Sequence, residues 1–187
     1  LLLYFSFLYR HIIAIEAGSI SSVALIFMAM ETTVITLLLL RRNPVERSVD
    51  TKSWAFALGG TFLPLLLIPS GTALNLQLGN FLMALGGLLA IGSYLSLNTS
   101  FGVSPALRKV KTSGMYMFIR HPMYASYFIL FTGYMCLSFS WLNLSIFIGM
   151  IICLIARIFF EEKILRKSAD YLEYCTKVKY RIIPFIF

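Results

Sequence analysis

The sequence predicts an all-α, polytopic membrane protein, and its composition, hydropathy and charge placement each support this fold class. Apolar residues make up 59% of the 187 residues, against about 45–50% in soluble domains. Charged residues make up 13%, and the mean hydropathy is +0.83. So few charges do not cover the surface of a soluble domain, and disordered chains need the opposite composition. A single compact membrane domain over residues 1–187 is therefore expected.

Five apolar runs predict five transmembrane helices, because a helical span needs about 20 apolar residues. Residues 1–18 begin with a shorter apolar run and then carry Arg10 and Glu16, which predicts an interfacial or partly inserted helix. The polar C-terminal tail predicts a cytoplasmic helical segment. The five predicted spans are Ser19–Leu40, Trp54–Ile68, Leu76–Leu97, Met123–Phe139 and Leu142–Phe160.

The basic residues predict how the chain is oriented. All but two of the 16 Lys and Arg residues, Arg10 and Arg157, lie in the segments 41–53, 98–121 and 161–187. Positive loops face the cytoplasm, so these segments and the C-terminus are expected there, with the N-terminus on the opposite side. In a prokaryote this would be the plasma (inner) membrane. The net charge of +8 is thus explained without a nucleic-acid partner.

Metal and disulfide chemistry are not expected. The chain has three cysteines and two histidines, and no two cysteines form a CxxC pair. The glycines of the third span predict close helix packing, because small residues let helices approach in a membrane. They are Gly79, Gly86, Gly87 and Gly92.

Two ionisable residues lie inside predicted spans, where a charge is costly and needs a reason. Glu31 lies within the first span and would face a polar cavity or pair with a neighbouring helix. Arg157 lies near the end of the fifth span, four residues before Glu161. The two share a helix face if the helix continues past Phe160. The alternative is an arginine that snorkels to the headgroups and forms an interfacial ion pair.

A second group of candidate residues lies where the basic segment 98–121 meets the fourth span. Pro122 suits the first turn of a helix, which places His121 near the N-cap. The N–H groups of a helix N-terminus are available to a carboxylate. The alternative is that Arg120 and His121 only anchor the helix at the headgroups.

The run Gly114-Met115-Tyr116, followed by Arg120-His121-Pro122-Met123-Tyr124, resembles the G-x-Y…R-H-P-x-Y signature of the isoprenylcysteine carboxyl methyltransferase family. That family is in turn similar to the phospholipid N-methyltransferases. After two apolar spans, the family pattern continues with E-E-x-x-L, Y-x-x-Y and a terminal R-x-x-P. This chain has Glu161–Leu165, Tyr171–Tyr174 and Arg181–Pro184 at the corresponding positions.

The resemblance covers residues 95–187 and implies a membrane methyltransferase that uses S-adenosylmethionine and releases S-adenosylhomocysteine. The resemblance makes 95–187 the cofactor-binding and catalytic half, and 1–94 the N-terminal helices. It implies that Glu161 binds the cofactor through its amino group or ribose, and that Arg157 points toward the acceptor. The other cofactor-pocket residues implied by position are Val110, Lys111, Tyr116, His121, Pro122, Met123 and Tyr124.

The resemblance leaves the acceptor open. A lipophilic acceptor would come from the bilayer among the membrane lipids. A carboxylate acceptor, which we favour, needs a cation such as Arg157 to orient it. A phospholipid amine must first lose a proton, and Glu162 or Glu161 would be the base. A different class of function is a non-catalytic membrane protein built on the same scaffold.

Overall fold

The computed structural model describes residues 2–18, 24–40, 46–47, 50–69, 72–97, 106–107 and 110–183. Apart from one pair of two-residue strands, the regular structure in these ranges is helical. The helices are α1 (Leu2–Glu16), α2 (Ala24–Leu40), α3 (Thr51–Phe62), α4 (Leu76–Leu97), α5 (Pro122–Leu137), α6 (Trp141–Leu165) and α7 (Ala169–Lys177). Two short 3₁₀ turns lie at Leu63–Leu66 and Gly114–Met117. The strands β1 (Glu46–Arg47) and β2 (Ala106–Leu107) pair antiparallel.

The predicted all-α fold is confirmed, but five transmembrane helices are not. Among the described residues, α4 and α6 are long and apolar enough to cross a membrane, and Ala24–Leu37 is a shorter apolar helix. The second predicted span is interrupted because a 3₁₀ turn with Pro64 near its start follows α3, which ends at Phe62. The fourth runs from Pro122 to Leu137 and has 16 residues. Residues 19–23 of the first predicted span lie outside the described residues.

The two long helices expose apolar side chains, which argues against the core of a soluble protein. Only 28% of the most apolar window of α6 is buried. Leu88 and Leu95 of α4 and Ile152 of α6 are more than half exposed. Exposed apolar surface on this scale is what lipid tails would cover.

Close packing of α4 against α5 explains two of the glycines. A Cβ on Gly86 would lie 2.5 Å from the backbone nitrogen of Leu130, and a Cβ on Gly133 would lie 2.7 Å from that of Met83. The packing prediction is therefore confirmed for Gly86, where the obstacle is backbone and does not move. At Gly92 a Cβ would meet only the Met115 side chain, at an ordinary 3.5 Å.

The basic segments meet at one end of the helices. The strand pair joins the segment 41–53 to 98–121. The backbone N–H groups of Arg120 and His121 donate to the carbonyls of Tyr180 and Arg181, at 2.9 and 2.8 Å, and so join 98–121 to the tail. At the opposite end, Leu74 N–H donates to Cys136 O at 2.9 Å. This grouping agrees with the predicted placement of the three segments on one side, while the sidedness itself stays a prediction.

The N-terminal helix α1 packs into the helical core. Phe7 is fully buried, and the buried His11 ring lies 2.9 Å from both the carbonyl oxygen of Phe7 and the hydroxyl of Tyr134 on α5. The Arg10 guanidinium donates to Leu65 O at 2.9 Å. These contacts tie α1 to α5 and to the turn after α3.

Candidate functional site

A tight turn and a proline-started helix position the signature residues 114–124. Gly114 has φ +64°, and a Cβ there would collide with the Ser96 side chain of α4. The Met115 N–H donates to that same Ser96 hydroxyl at 3.2 Å. His121 is the N-cap of α5 and Pro122 its first residue, as predicted, because proline at this position forfeits no hydrogen bond.

Glu162 is the centre of an ion-pair network that holds the C-terminal tail against α6, and we call it the tail-docking network. The Arg181 guanidinium donates to both Glu162 oxygens, at 3.1 and 3.0 Å. The Arg120 guanidinium lies 2.8 Å from Oε1 and also donates to Lys179 O at 2.9 Å. The network consists of Arg120, His121, Glu162, Arg166 and Arg181.

This network keeps its central groups charged. Only 4% of the Glu162 side chain and 7% of that of Arg120 are exposed. Burial by itself would lower the pKa of Arg120, but Glu162, Cys175 and Tyr171 together outweigh it, so the pKa lies above the ordinary value. A buried carboxylate with this many charge-assisted partners is part of the fold's own structure.

Glu161, the preceding residue, faces a different set of partners. It accepts a hydrogen bond from the Tyr124 hydroxyl and lies 3.7 Å from Nη2 of Arg157. His121 Nδ1 lies 4.0 Å from its other oxygen, and the His121 and Tyr124 rings stack with centroids 5.6 Å apart. The Glu161 side chain is 20% exposed, so this carboxylate is within reach of a ligand.

Arg157 is buried and does not snorkel. It is 3% exposed, and its guanidinium lies 5.2 Å from the centroid of the Tyr124 ring. Its Nη1 donates to the Thr61 hydroxyl of α3 at 3.4 Å. The helix continues past Phe160, so the predicted stacking of Arg157 on Glu161 is confirmed.

A cleft between α2, α3, α5 and α6 begins beside Arg157, and we call it the interhelical cleft. It is narrow and partly open to the surroundings. Two of its lining groups are charge-bearing, Glu31 of α2 and Arg157 of α6. The other lining residues are Val34, Gly60, Thr61, Pro64, Met123, Tyr127 and Phe131.

The remaining signature residues form a second, aromatic cluster beside the tail. Tyr116 packs with Tyr171, Tyr174 and Val178, and Val110 contacts this cluster. The Tyr174 hydroxyl donates to the Tyr116 carbonyl at 2.6 Å. Burial raises the pKa of the Tyr116 phenol, and the nearby Glu161 carboxylate adds to this, so the phenol is neutral at physiological pH.

The structure therefore brings most of the predicted site residues together, in two groups. His121, Tyr124, Arg157 and Glu161 are in mutual contact. Tyr116 and Val110 belong to the aromatic cluster instead, and Lys111 lies half-buried next to Val110. Pro122 starts α5, and Met123 lines the cleft. Pro184, the last residue of the R-x-x-P end, lies outside the described residues.

The contacts of Glu162 disfavour the predicted base role. Both of its oxygens are already bound by guanidinium groups, those of Arg120 and Arg181. To accept a proton it would have to give up charge-assisted hydrogen bonds at a buried position. These contacts instead make Glu162 a group that holds the C-terminal tail in place.

Sequence reasoning missed several residues that shape the site. Thr61 and Tyr127 gave no signal, because one polar side chain within an apolar run is ordinary. Arg120 and Arg181 were visible within the two motifs, but their shared carboxylate was not. His121 and Arg181 lie 41 and 19 positions along the chain from Glu162, and no local sequence pattern bridges such separations.

Residues 74–169 match the phospholipid methyltransferase family, and the match covers more than half of the chain. The chain thus belongs to the phospholipid methyltransferase family of membrane methyltransferases. The match begins at the turn before α4 and ends at the start of α7, so it includes His121, Arg157 and Glu161. No curated protein matches the chain.

Proposed function

We propose that this protein transfers the methyl group of S-adenosylmethionine to a lipophilic acceptor bound in the interhelical cleft. The observation that carries the proposal is the position of Arg157. This buried guanidinium contacts Glu161 on one side and lines the cleft on the other. One residue therefore connects a reachable carboxylate with a cavity that the apolar helices surround.

The residues around Glu161 fit the proposed cofactor. When bound, S-adenosylmethionine supplies a methyl group activated by a positive sulfonium. Its amino group and ribose hydroxyls are donors, and Glu161 is a partly exposed acceptor. Glu161 would hold the cofactor, while His121 and Tyr124 would fix the orientation of the Glu161 carboxylate.

Arg157 would orient the acceptor. A guanidinium binds a carboxylate or a phosphate through paired hydrogen bonds. Holding the acceptor atom in line with the methyl group accounts for much of the rate in a displacement reaction. Burial strengthens this, because the charge acts in a medium of low dielectric constant. A carboxylate acceptor, which we favour, would need no further catalytic group.

An amine acceptor is the second candidate function. The name of the matched family is phospholipid methyltransferase, and the cleft also contains a buried carboxylate, Glu31. In that case Arg157 would hold the phosphate of a lipid headgroup. The two candidates differ in the chemical stability of the product, since a methyl ester is released by mild base and an N-methyl group is not.

The test uses S-adenosylmethionine labelled in its methyl group, with the purified protein in vesicles of native lipid and membrane-protein extract. Arg157→Ala is expected to reduce transfer by on the order of a hundredfold, the cost of losing one preorganised charge. The same variant should bind the cofactor nearly normally, whereas Glu161→Gln and His121→Ala should bind it more weakly. Lys163→Ala is the control, because it removes an exposed cation from the same helix.

Either of two results would contradict the proposal. If the Arg157, Glu161 and His121 variants each kept full methyl transfer, the assignment of the site would be wrong. A wild-type protein that neither binds the cofactor nor labels any acceptor would indicate a non-catalytic protein on this scaffold. Label that mild base releases as methanol would identify a carboxyl acceptor, and base-stable label in the lipid fraction would identify an amine.

A further inference from the structure

We infer that Glu31 of α2 is a catalytic residue of this site, and that it receives the proton of an amine acceptor before methyl transfer. This inference rests on the proposed function with its second candidate acceptor, an amine, and deepens it for that acceptor. Glu31 lies outside the matched residues 74–169, in the N-terminal half of the chain. It reaches the site only because α2 packs beside the cleft.

The Glu31 side chain is buried at the wall of the interhelical cleft. Glu31 is 4% exposed and lines the interhelical cleft together with Tyr127 and Arg157. Within the described part of the chain, no hydrogen bond or ion pair involves its carboxyl group. Burying a polar group without a hydrogen-bond partner is unfavourable. A group left in this state at the wall of a cavity is accounted for when a ligand supplies the partner.

Glu31 differs from the other two carboxylates of the site, because both of those have protein partners. Glu162 is bound by two guanidinium groups, those of Arg120 and Arg181. Glu161 accepts from the Tyr124 hydroxyl and pairs with Arg157. Both already have protein partners, so proton acceptance would disrupt existing contacts. Protonation of Glu31 breaks no contact in the described structure.

Polar groups from the neighbouring helices surround Glu31 and affect the charge of its carboxyl group. The cleft brings Tyr127 and Arg157 toward Glu31 from α5 and α6, and the Tyr127 hydroxyl bonds that of Tyr94 on α4. From α1, the Tyr4 hydroxyl bonds that of Thr32, the residue after Glu31 in α2, and the buried His11 is bonded to Phe7 and Tyr134. An acceptor's ammonium group and its anionic group would thus find one partner each, Glu31 and Arg157.

The chemistry balances without any further reactant. The acceptor ammonium gives one proton to the Glu31 carboxylate, which leaves a neutral amine with a free electron pair. That pair forms the new N–C bond to the methyl carbon as the C–S bond breaks, and the electrons of the C–S bond stay on sulfur. The product is a methylated ammonium and a neutral thioether. A carboxylate acceptor would use no such proton step, so the role of Glu31 separates the two candidates.

The test compares wild type, Glu31→Gln and Glu31→Asp over a range of pH. The acceptors are vesicles of phosphatidylcholine with phosphatidylethanolamine and, separately, soluble phosphoethanolamine. At pH 7, Glu31→Gln should lower methyl transfer by on the order of a hundredfold, the typical value of a general base. The loss should shrink as the pH approaches the pKa of a free alkyl amine, about 10. Glu31→Asp should keep the wild-type pH profile at a reduced rate.

Cofactor binding by each variant shows that the fold is intact, and Thr36→Val is the control because Thr36 is exposed on the same helix. If the protein methylates the lipid faster than the soluble amine, the hydrocarbon tail is recognised. If it methylates both equally, the amine group alone is recognised and the role of Glu31 concerns that group. A Glu31→Gln protein with the wild-type rate and pH profile would overturn the inference. Base-labile label in the wild type would overturn it while leaving the proposed function intact, and absence of any label would remove both.

Should Glu31→Gln lose cofactor binding, Glu31→Asp decides the question. A pH profile moved toward high pH in Glu31→Asp would contradict the proton-accepting role, because aspartate still accepts a proton. An unchanged profile with a lower rate supports it.

Discussion

The tail-docking network and the interhelical cleft both use charged side chains of α6, but only one of them is electrostatically complete. In the network, Glu162 is surrounded by guanidinium groups of the chain itself. In the cleft, Arg157 pairs with Glu161, whereas no hydrogen bond or ion pair involves the buried Glu31 carboxyl group among the described residues. A complete arrangement holds the fold together. An incomplete one, kept at the cost of desolvating a carboxyl group, is suited to binding a ligand.

The two regions are connected through consecutive residues of one helix. Glu162 joins the start of α5 to the tail, because it pairs with both Arg120 and Arg181. The backbone N–H groups of Arg120 and His121 add hydrogen bonds to the tail backbone. That positions His121 and Tyr124 against Glu161. The network thus orients the reachable carboxylate, although its own carboxylate is not available to a ligand.

Removing the centre of the network should have the largest effect on stability. Glu162→Ala leaves the buried Arg120 guanidinium without its carboxylate partner, and removing one member of a buried ion pair costs about 3–5 kcal/mol. We expect a large drop in Tm in detergent and faster proteolysis of the tail after α7. A Tm equal to that of wild type would show that the network does not hold the tail.

How far the sequence predicts this structure differs between the two regions. The ends of α4 were predicted to the residue, because an apolar run bounded by polar residues specifies a helix by itself. The Arg157–Glu161 contact was also predictable, since residues four apart share a helix face. The distribution of partners between Glu161 and Glu162 was not, because it depends on where the tail returns. The exposure of Glu31 to the cleft likewise depends on how α2 packs, and the sequence left it open.

Helix packing underlies both regions, so a change at the α4–α5 contact should weaken both together. Gly86→Ala places a methyl group against the Leu130 backbone, and overpacking of this kind costs about 1–3 kcal/mol. We expect a lower Tm and, because α5 carries Tyr124 and Tyr127, weaker cofactor binding. Gly92→Ala is the matched control, since its Cβ would make only ordinary contact. Equal Tm values for the two variants would contradict the packing argument.

An exposed ion pair tests whether burial, and not charge alone, gives the network its effect. Glu173 and Lys177 of α7 pair at 2.7 Å, with side chains 69% and 71% exposed. Pairs of this kind contribute little, because water screens the attraction and two flexible side chains must be ordered. Glu173→Gln should therefore leave Tm, tail proteolysis and methyl transfer unchanged within error. If it instead destabilised the protein as Glu162→Ala does, removal of a negative charge from this basic end would be sufficient. The buried geometry of Glu162 would then have no special part in holding the tail.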